Sequence, residues 1–512
     1  MAAHPNTLVR PENLAEAFDR HLARDPGGLA LIIGEKVWTR RQLADLAARA
    51  TGALAEIGVG AGDRVIAQYD TTVEDLAVAI AVARLGATLM PIPKRLGMRE
   101  VNYLLERSQA ALFAHMGGAP SPGLELPRGA VVRSTTSLLA GDPREIATAP
   151  TADDHSALIG VTSGSTGNPK GVMHGWSGIA WASERMRALA DLQQGESILV
   201  TGAGAGAPGY AFFTYCGLAN GLTLVRASKW DPVEVLQLAD RHGCAWACMV
   251  PTMLRMLLDA RPDALGDGKL DRMRAITVGG GFMSGALIQR TREELGTEVL
   301  RMYAMAECMC HSSVLLSEGR DVRDLCDGRS GPGAEIALFD DERRQLPPGE
   351  AGEIGMRGPS LFLGYLGDSE GKARLMTPDG YFLSGDMGRI LPNGHVKVVG
   401  RKKDMINRGG YKIDPSEVEE LIGKHPAVAK VAVVGYPDRL YGERACAVVE
   451  PRAGQAFSFA DLTGFLLAQG LSKEKLPERL ELREALPLSP DGKILKAKVK
   501  AEIGTDPTRS EA

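Results

Sequence analysis

The sequence has no excess of charge of either sign. Its 59 Lys and Arg stand against 63 Asp and Glu, a formal net charge of −4. So mild a balance gives no electrostatic reason to expect nucleic acid or an anionic membrane surface as a partner. Cysteine is sparse, seven in 512 residues, odd in number and without framework spacing. That excludes a disulfide scaffold and points to reduced thiols in a cytoplasm. The one local cluster, Cys308-Met309-Cys310-His311, lacks a second ligand pair at a metal-site spacing and is read as buried thiols in a core. No long apolar run is present either. The most apolar segment, Leu76 to Pro93, is interrupted by Arg84 and by prolines, so it reads as a core helix and strand rather than a membrane span. The N-terminus, Met1-Ala2-Ala3-His4-Pro5-Asn6-Thr7, shows no basic stretch followed by an apolar run, and no secretory signal is visible. No internal repeat is evident.

What is present is a chain too long for one ordinary core, so two or more domains are expected. The first ~400 residues alternate apolar strand-like runs with amphipathic helices, the pattern of an α/β protein with largely parallel sheets. Strands are expected at Leu29 to Gly34, Ser156 to Val161, Ser197 to Thr201, Cys244 to Val250, Arg274 to Val278 and Glu298 to Tyr303. Helices are expected at Thr39 to Ile57, Pro232 to Arg241, Pro251 to Ala260 and Ser284 to Leu295, with Pro232 and Pro251 in first turns and Ser284 as an N-cap. After Pro347-Pro348-Gly349, short strand signals with turn punctuation suggest a compact β region up to about Gly400. The charged run Arg401-Lys402-Lys403-Asp404 then precedes a small α+β pattern, in which Pro415 to Gly423 and Phe459 to Gln469 read as helices, and Val428 to Gly435 and Arg444 to Glu450 as strands. The expected division is 1–400, a hinge at 401–404, and 405–512; the last dozen residues are polar and expected to fray.

The densest chemical signal is Thr162-Ser163-Gly164-Ser165-Thr166-Gly167-Asn168-Pro169-Lys170-Gly171. Its glycines let backbone N–H groups approach an anion, its hydroxyls donate hydrogen bonds, and its lysine adds a point charge. The strand before it would place the loop at a strand's carboxyl end, where open α/β sheets bind ligands. It is not a Walker A loop, since Lys170 is followed by Gly171 and the glycine spacing differs. Neither Ser163 nor Ser165 lies in a Gly-x-Ser-x-Gly elbow, which argues against a hydrolase. The tract Gly202-Ala203-Gly204-Ala205-Gly206-Ala207 lacks the last glycine of a dinucleotide fingerprint, which argues against an NAD-dependent oxidoreductase.

The ten-residue loop resembles the signature loop of the acyl-adenylate-forming superfamily, which includes acyl-CoA ligases, peptide-synthetase adenylation domains and luciferases. Further segments resemble the same superfamily in its order, so the resemblance covers most of the chain. It implies an α/β fold with a large multi-sheet N-terminal domain and a mobile small α+β C-terminal domain. Thr162, Ser163, Gly164, Ser165, Thr166 and Lys170 would bind ATP, with Thr166 also catalytic. Gly279-Gly280-Gly281-Phe282 resembles the segment lining the acyl and adenine sites: Gly280 goes to ATP, and Gly279 and Gly281, with Met305, to the acyl pocket. Tyr303-Ala304-Met305-Ala306-Glu307 resembles Tyr-Gly-x-Thr-Glu, in which the aromatic packs on adenine and the glutamate helps to hold Mg²⁺, a hard cation suited to carboxylate and phosphate oxygens. Ala304 and Ala306 depart from that motif; the missing Thr hydroxyl forfeits a charge-assisted hydrogen bond on the order of 1.5–3 kcal/mol. By the same resemblance Asp386 accepts from the ribose hydroxyls, Arg401 contacts the nucleotide, and Asp404 is the hinge pivot. Gly409, Gly410 and Lys412 belong to the loop brought to the thioester site. Lys493, in Leu488-Ser489-Pro490-Asp491-Gly492-Lys493, spans the attacking carboxylate and the α-phosphate as a catalytic cation.

The activity implied is a two-step ligation: a carboxylic acid and Mg-ATP give an acyl-adenylate, and the thiol of coenzyme A then displaces AMP. The expectation is a freestanding ligase, since a single C-terminal domain of ~110 residues stands after the hinge with no carrier-protein domain seen in the sequence; a carrier-protein pantetheine is the alternative acceptor, and a non-catalytic acyl- or nucleotide-binding relative the other reading. The stretch Gly202 to Tyr210 has no acidic residue, so a substrate ammonium would lack a counter-charge and an amino acid is disfavoured. Small residues followed by Tyr210, Phe212 and Phe213 suggest an apolar pocket for an aromatic or cyclic acid ahead of a straight fatty acid. The expected location is cytoplasmic; the oligomeric state is open.

Overall fold

A computed structural model of the protein describes residues 12–118, 122–152, 154–162, 168–202, 204–281, 283–347, 349–409, 411–488 and 494–504. Helices begin where the sequence supplies caps. Thr39 and Gln42 form a capping box ahead of Arg40–Glu56, and Asp231 accepts N–H groups at the start of Pro232–Arg241. Ser284 does the same for Gly285–Leu295. Such side chains satisfy backbone donors that the first turn leaves unpaired. The helix Val73–Arg84 is apolar on nearly every face and correspondingly buried. It shares one apolar cluster with Leu31 and Leu224 of one sheet and with Val65, Leu89 and Leu158 of another. The two sheets are thereby joined through a common core.

The larger sheet has nine strands and the second has seven. In the nine-stranded sheet Ser197–Leu199, Cys244–Met249, Ala275–Val278 and Glu298–Met305 run parallel and adjacent, so their carboxyl ends share one crest. In the seven-stranded sheet Leu158–Thr162 turns back through an antiparallel partner, Lys170–His174, with Thr162 opposite Lys170. The Gly/Ser/Thr-rich loop is therefore the connection of a hairpin. A third sheet, of four antiparallel strands, is made by Glu335–Phe339, Ala351–Arg357, Phe382–Ile390 and Val396–Arg401. A fourth, of five strands, contains Val428–Asp438 and Gly442–Pro451 and carries the helices Pro415–Ile422, Phe459–Ala468 and Lys496–Gly504 around its own apolar clusters. The fold is thus α/β, with a large multi-sheet N-terminal part and a small α+β C-terminal part.

Some expected boundaries move, for identifiable reasons. The strand expected to end at Tyr303 continues to Met305 because Cys308–Ser313 folds back on it and pairs Met305 with Cys308. The strand expected to reach Thr201 stops at Leu199. The helix from Pro251 runs on to Leu265 with Pro262 inside it; so close to the helix end, the missing N–H removes little of the ladder. The β region begins at Glu335, before Pro347, because Glu335–Phe339 pairs with Ala351–Arg357 and the proline-rich turn lies inside that pairing. Of the last dozen residues expected to fray, 501–504 belong to the helix Lys496–Gly504, where Val499 and Ile503 bury against Ala432 and Val448, and 505–512 lie outside the described residues. Among the described residues no helix is long and apolar enough to cross a membrane.

Candidate active site

Parallel pairing of Ala275–Val278 with Glu298–Met305 sets Val278 opposite Arg301 and brings Gly279 alongside Met302, the residue before Tyr303, while Gly281 lies against Pro251. The glycines are required by space and by backbone. A Cβ on Gly279 would lie 3.0 Å from the Met302 carbonyl oxygen, and Gly280 has φ +73°, a left-handed conformation that side chains disfavour. The result is a ledge of bare backbone next to an aromatic ring.

The Tyr303 hydroxyl donates to Asp386 Oδ2 at 2.7 Å, with both residues buried. Asp386 lies opposite Arg401 in the third sheet, and Arg401 Nε stands 3.3 Å from Asp386 Oδ1. Burial pushes the Asp386 carboxyl above the ordinary aspartate value, against the pull of the Tyr303 hydrogen bond and the Arg401 charge. The backbone there is held by side chains. Gly385 N–H donates to Glu353 at 3.0 Å, while Lys402 Nζ reaches Glu353 at 2.8 Å and Asp341 at 2.9 Å. The charged run thus leaves the sheet as one short 3₁₀ turn, Lys402–Asp404, which places Asp404 at its end.

A second cluster surrounds Glu307, in the turn between Glu298–Met305 and Cys308–Ser313. Tyr365 O–H donates to Glu307 Oε1 at 2.9 Å, and Phe362 N–H donates to the Glu307 carbonyl at 2.9 Å. The exposed Lys170 holds its ammonium 5.4 Å from the Tyr365 ring centroid, a cation–π contact. On the same strand, and on the same face at period two, His174 is fully buried and its Nε2–H donates to the Ala306 carbonyl at 2.7 Å. Burial brings the His174 pKa down to about 4, so the ring is neutral in this role. Tyr303, Val172 and Phe382 belong to one apolar cluster against which Met305, Ala306 and Tyr365 pack. Both polar clusters therefore sit on a single support.

Beneath them, Cys308 Sγ lies 3.0 Å from His311 Nδ1 and 3.0 Å from Ser360 Oγ, and His311 Nε2–H donates to the Glu335 carbonyl at 2.8 Å. Burial raises the Cys308 thiol to about 12 and lowers His311 to about 4. The group is a neutral core network, and among the described residues no cluster of three or more His, Cys, Asp or Glu is arranged to hold a metal. All seven cysteines are free.

Tyr210 and Phe212 lie in a π-helical segment, Tyr210–Tyr215, which follows the glycine-rich stretch after Ser197–Leu199. Both are buried in the main apolar cluster. The Tyr210 ring is 6.3 Å from Tyr69, and Phe213 is 6.1 Å from Trp246. Gly409, at φ +59°, donates its N–H to the Tyr441 carbonyl at 2.7 Å, which fixes the loop on the hairpin at Leu440. Ser163, Gly164, Ser165, Thr166, Phe282, Gly410 and Lys493 lie outside the described residues, as does the side chain of Lys412. The sequence reading missed Tyr365 and His174. His174 had a signal, its even spacing from Lys170; Tyr365 had none, since its partner Glu307 is 58 positions away.

A model of the AMP-binding enzyme family matches residues 18–366, and one of the AMP-binding enzyme C-terminal domain matches residues 417–493. A feruloyl-CoA synthase of Amycolatopsis sp is 30% identical, over 97% of this chain and 100% of that protein. An indoleacetate–CoA ligase of Aromatoleum aromaticum (strain DSM 19018 / LMG 30748 / EbN1) is 30% identical, over 95% of this chain and 97% of that one. Among solved structures, ATP-bound MatB from Rhodopseudomonas palustris superposes with a TM-score of 0.87 at 26% identity, covering 96% of this chain and 99% of that one.

Proposed function

The chain belongs to the AMP-binding enzyme family, and from that premise we propose that it activates an aromatic or cyclic carboxylic acid with ATP and passes the acyl group to coenzyme A. It is an AMP-forming acid–thiol ligase. The observation that carries the residue assignments is the joining of Tyr303, Asp386 and Arg401 on one side, and of Lys170, Tyr365 and Glu307 on the other, over one apolar support.

In this reading adenine lies along Gly279–Gly281 against the Tyr303 ring, and Asp386 accepts from the ribose diol beside Arg401. Thr162, Lys170 and the loop between them, Ser163 to Thr166, hold the phosphates. Glu307 fits Mg²⁺: it is half-exposed and presents hard oxygen donors, and Mg²⁺ commonly takes one or two carboxylates with the remaining positions filled by water and substrate phosphate. Bound there, Mg²⁺ supplies charge neutralisation to the phosphates. The carboxylate oxygen of the acid attacks the α-phosphorus, the bond to pyrophosphate breaks, and Lys493 stabilises the charge that develops. Residues 405–512 then turn as a lid about 401–404 and withdraw Lys493. Gly409, Gly410 and Lys412 approach, and the thiol sulfur attacks the acyl carbon as AMP leaves.

The aromatic preference is supported by the acids in the relatives' names, ferulate and indoleacetate; in this reading Tyr210 and Phe212, buried in the main apolar cluster, wall the acyl pocket with Gly279, Gly281 and Met305. A carrier-protein pantetheine is the alternative acceptor. Seven free cysteines agree with a reducing cytoplasm. The test is acid-dependent release of AMP and pyrophosphate from Mg-ATP across aryl, cyclic, fatty and amino acids, with and without coenzyme A. Turnover requiring an aryl or cyclic acid and yielding its CoA thioester supports the proposal. Pyrophosphate exchange without a thioester transfers it to a carrier protein, and silence despite ATP binding leaves the non-catalytic relative.

A further inference from the structure

Tyr365 stands between two groups that the proposed function uses and touches neither acid nor nucleotide in that reading. Its hydroxyl donates to Glu307 Oε1 at 2.9 Å, and its ring lies 5.4 Å below the Lys170 ammonium. Its position is imposed from several directions. Gly364 and Tyr365 pair antiparallel with Met173 and Val172, which places Tyr365 at the edge of the seven-stranded sheet beside the lysine strand. The ring meets Phe362 edge-on at 4.8 Å and 61°. Leu366 N–H donates to the Gly171 carbonyl at 2.8 Å and Leu363 N–H to the Met173 carbonyl at 2.7 Å, so the backbone on both sides of Tyr365 is tied to the strand that carries Lys170.

The peptide bearing Glu307 is held with equal definition. His174 donates to the Ala306 carbonyl at 2.7 Å, and Phe362 N–H to the Glu307 carbonyl at 2.9 Å. With both carbonyls taken, the remaining freedom of Glu307 is in its own side chain, and the Tyr365 hydroxyl is what directs one carboxylate oxygen. The other oxygen is left for a cation. The hairpin strand thus supplies two restraints to the same carboxylate: His174 through the backbone, and Tyr365 through the paired edge.

We propose that Tyr365 is a positioning residue that orients the Glu307 carboxylate toward the metal of Mg-ATP while holding Lys170 at the phosphates, so that both charges are set before the nucleotide arrives. The inference rests on the reading of Glu307 as the metal's protein ligand. Partners that orient a ligating carboxylate commonly contribute about 10- to 100-fold to metal affinity.

The test measures Mn²⁺ binding by electron paramagnetic resonance in the presence of a non-hydrolysable ATP analogue, so turnover plays no part. Tyr365→Phe keeps the ring, its contact with Phe362 and the cation–π face, and removes the donor alone. The expected result is Mn²⁺ binding weakened about tenfold or more, with the analogue's metal-free affinity changed less than twofold. Tyr365→Leu, which also removes the aromatic face, is expected to weaken the analogue itself. Mn²⁺ binding unchanged or tighter in Tyr365→Phe, when Glu307→Gln weakens it, overturns the positioning role and leaves the metal assignment standing. If Glu307→Gln also leaves Mn²⁺ binding unchanged, the assignment of the metal to Glu307 fails and the role of Tyr365 falls with it.

Discussion

Asp75 offers a prediction whose size follows from one buried group. It is the third residue of the helix Val73–Arg84. Its Oδ2 accepts the N–H groups of Asp70 at 2.8 Å and Thr72 at 3.0 Å, while its Oδ1 is buried without a hydrogen-bond partner. Burial is the largest influence on the carboxyl and raises its pKa from 3.8 to about 6; the Thr72 and Asp70 hydrogen bonds oppose the rise, and the neighbouring Glu74 adds to it. A carboxyl raised on folding stabilises the protein below its unfolded pKa, and this stabilisation is lost as pH rises through the folded value. At ~1.4 kcal/mol per pK unit, the contribution is about 3 kcal/mol, of which about 1.3 kcal/mol disappears between pH 5 and 7. Asp75→Asn abolishes the titration. The amide nitrogen it places at the unpartnered position imposes a cost of its own, but that cost does not vary with pH. Urea unfolding of both proteins from pH 5 to 7.5 isolates the effect: the wild type should lose stability relative to Asp75→Asn by about 1.3 kcal/mol up to pH 7, then level off. Asp414 also titrates near 6, but it is present in both proteins and cancels. A difference that stays flat across this range would show that Asp75 titrates as an ordinary carboxylate, and the account of its burial would be wrong.

Tyr303→Phe removes the donor from buried Asp386 and should cost about 1.5–3 kcal/mol of stability. It should also move the acid limb of ATP binding to higher pH, because a cause that lowers the Asp386 pKa is lost while burial remains; KM for ATP at pH 6 and 8 distinguishes this from a uniform loss of packing. Lys493→Ala should abolish acid-dependent pyrophosphate exchange by a factor of 100 or more on the order expected for one transition-state charge contact, yet leave thioester formation from a supplied acyl-adenylate measurable; equal loss of both steps would contradict the two-position use of the site. Cys308 and Cys310, raised to about 12 by burial, should resist iodoacetamide at pH 8 in the native protein and react on unfolding, as read by mass spectrometry; ready labelling of either would contradict their burial.

Local signals carried far in this chain. Prolines 232 and 251 in first turns, the Ser284 cap and the alternation of apolar runs gave most helices and strands within a few residues of those observed. Two kinds of information were missing. One was pairing: the extension of Glu298–Met305 depends on a strand that folds back onto it, and the strand Glu335–Phe339 becomes visible only through its partner beyond Pro347. The other was reach. Tyr303 and Asp386 are 83 positions apart and meet at 2.7 Å, and no periodicity connects them. Motif resemblance named these two residues separately, and only the fold joins them. His174 left only its even spacing from Lys170, and Tyr365 left nothing, because each contacts another residue's backbone or carboxylate far off in sequence.

The alanines at 304 and 306 raise the question whether the site has decayed into a binding surface. A decayed site has no reason to keep buried charge, since an ionised carboxylate out of water is costly unless paired. This chain keeps two such groups at one place. Asp386 is buried with its pKa raised, so the carboxylate is maintained at a cost to the fold and only partly offset by Tyr303 and Arg401. Glu353 is buried beside it and needs Lys402 as its partner. Leucine or asparagine at either position would remove the cost. Strain and uncompensated charge persist where a ligand completes the arrangement, and a diol donating to Asp386 would supply what the protein alone leaves unmet. At Ala306 the side-chain hydroxyl is gone, but the backbone there is pinned by His174 at 2.7 Å and Glu307 keeps its Tyr365 partner. In the proposed reading the motif lost one contact to phosphate and kept the placement of the Glu307 carboxylate. The substitutions therefore weigh on rate or on phosphate affinity, and the retained buried charges weigh against a site without a nucleotide.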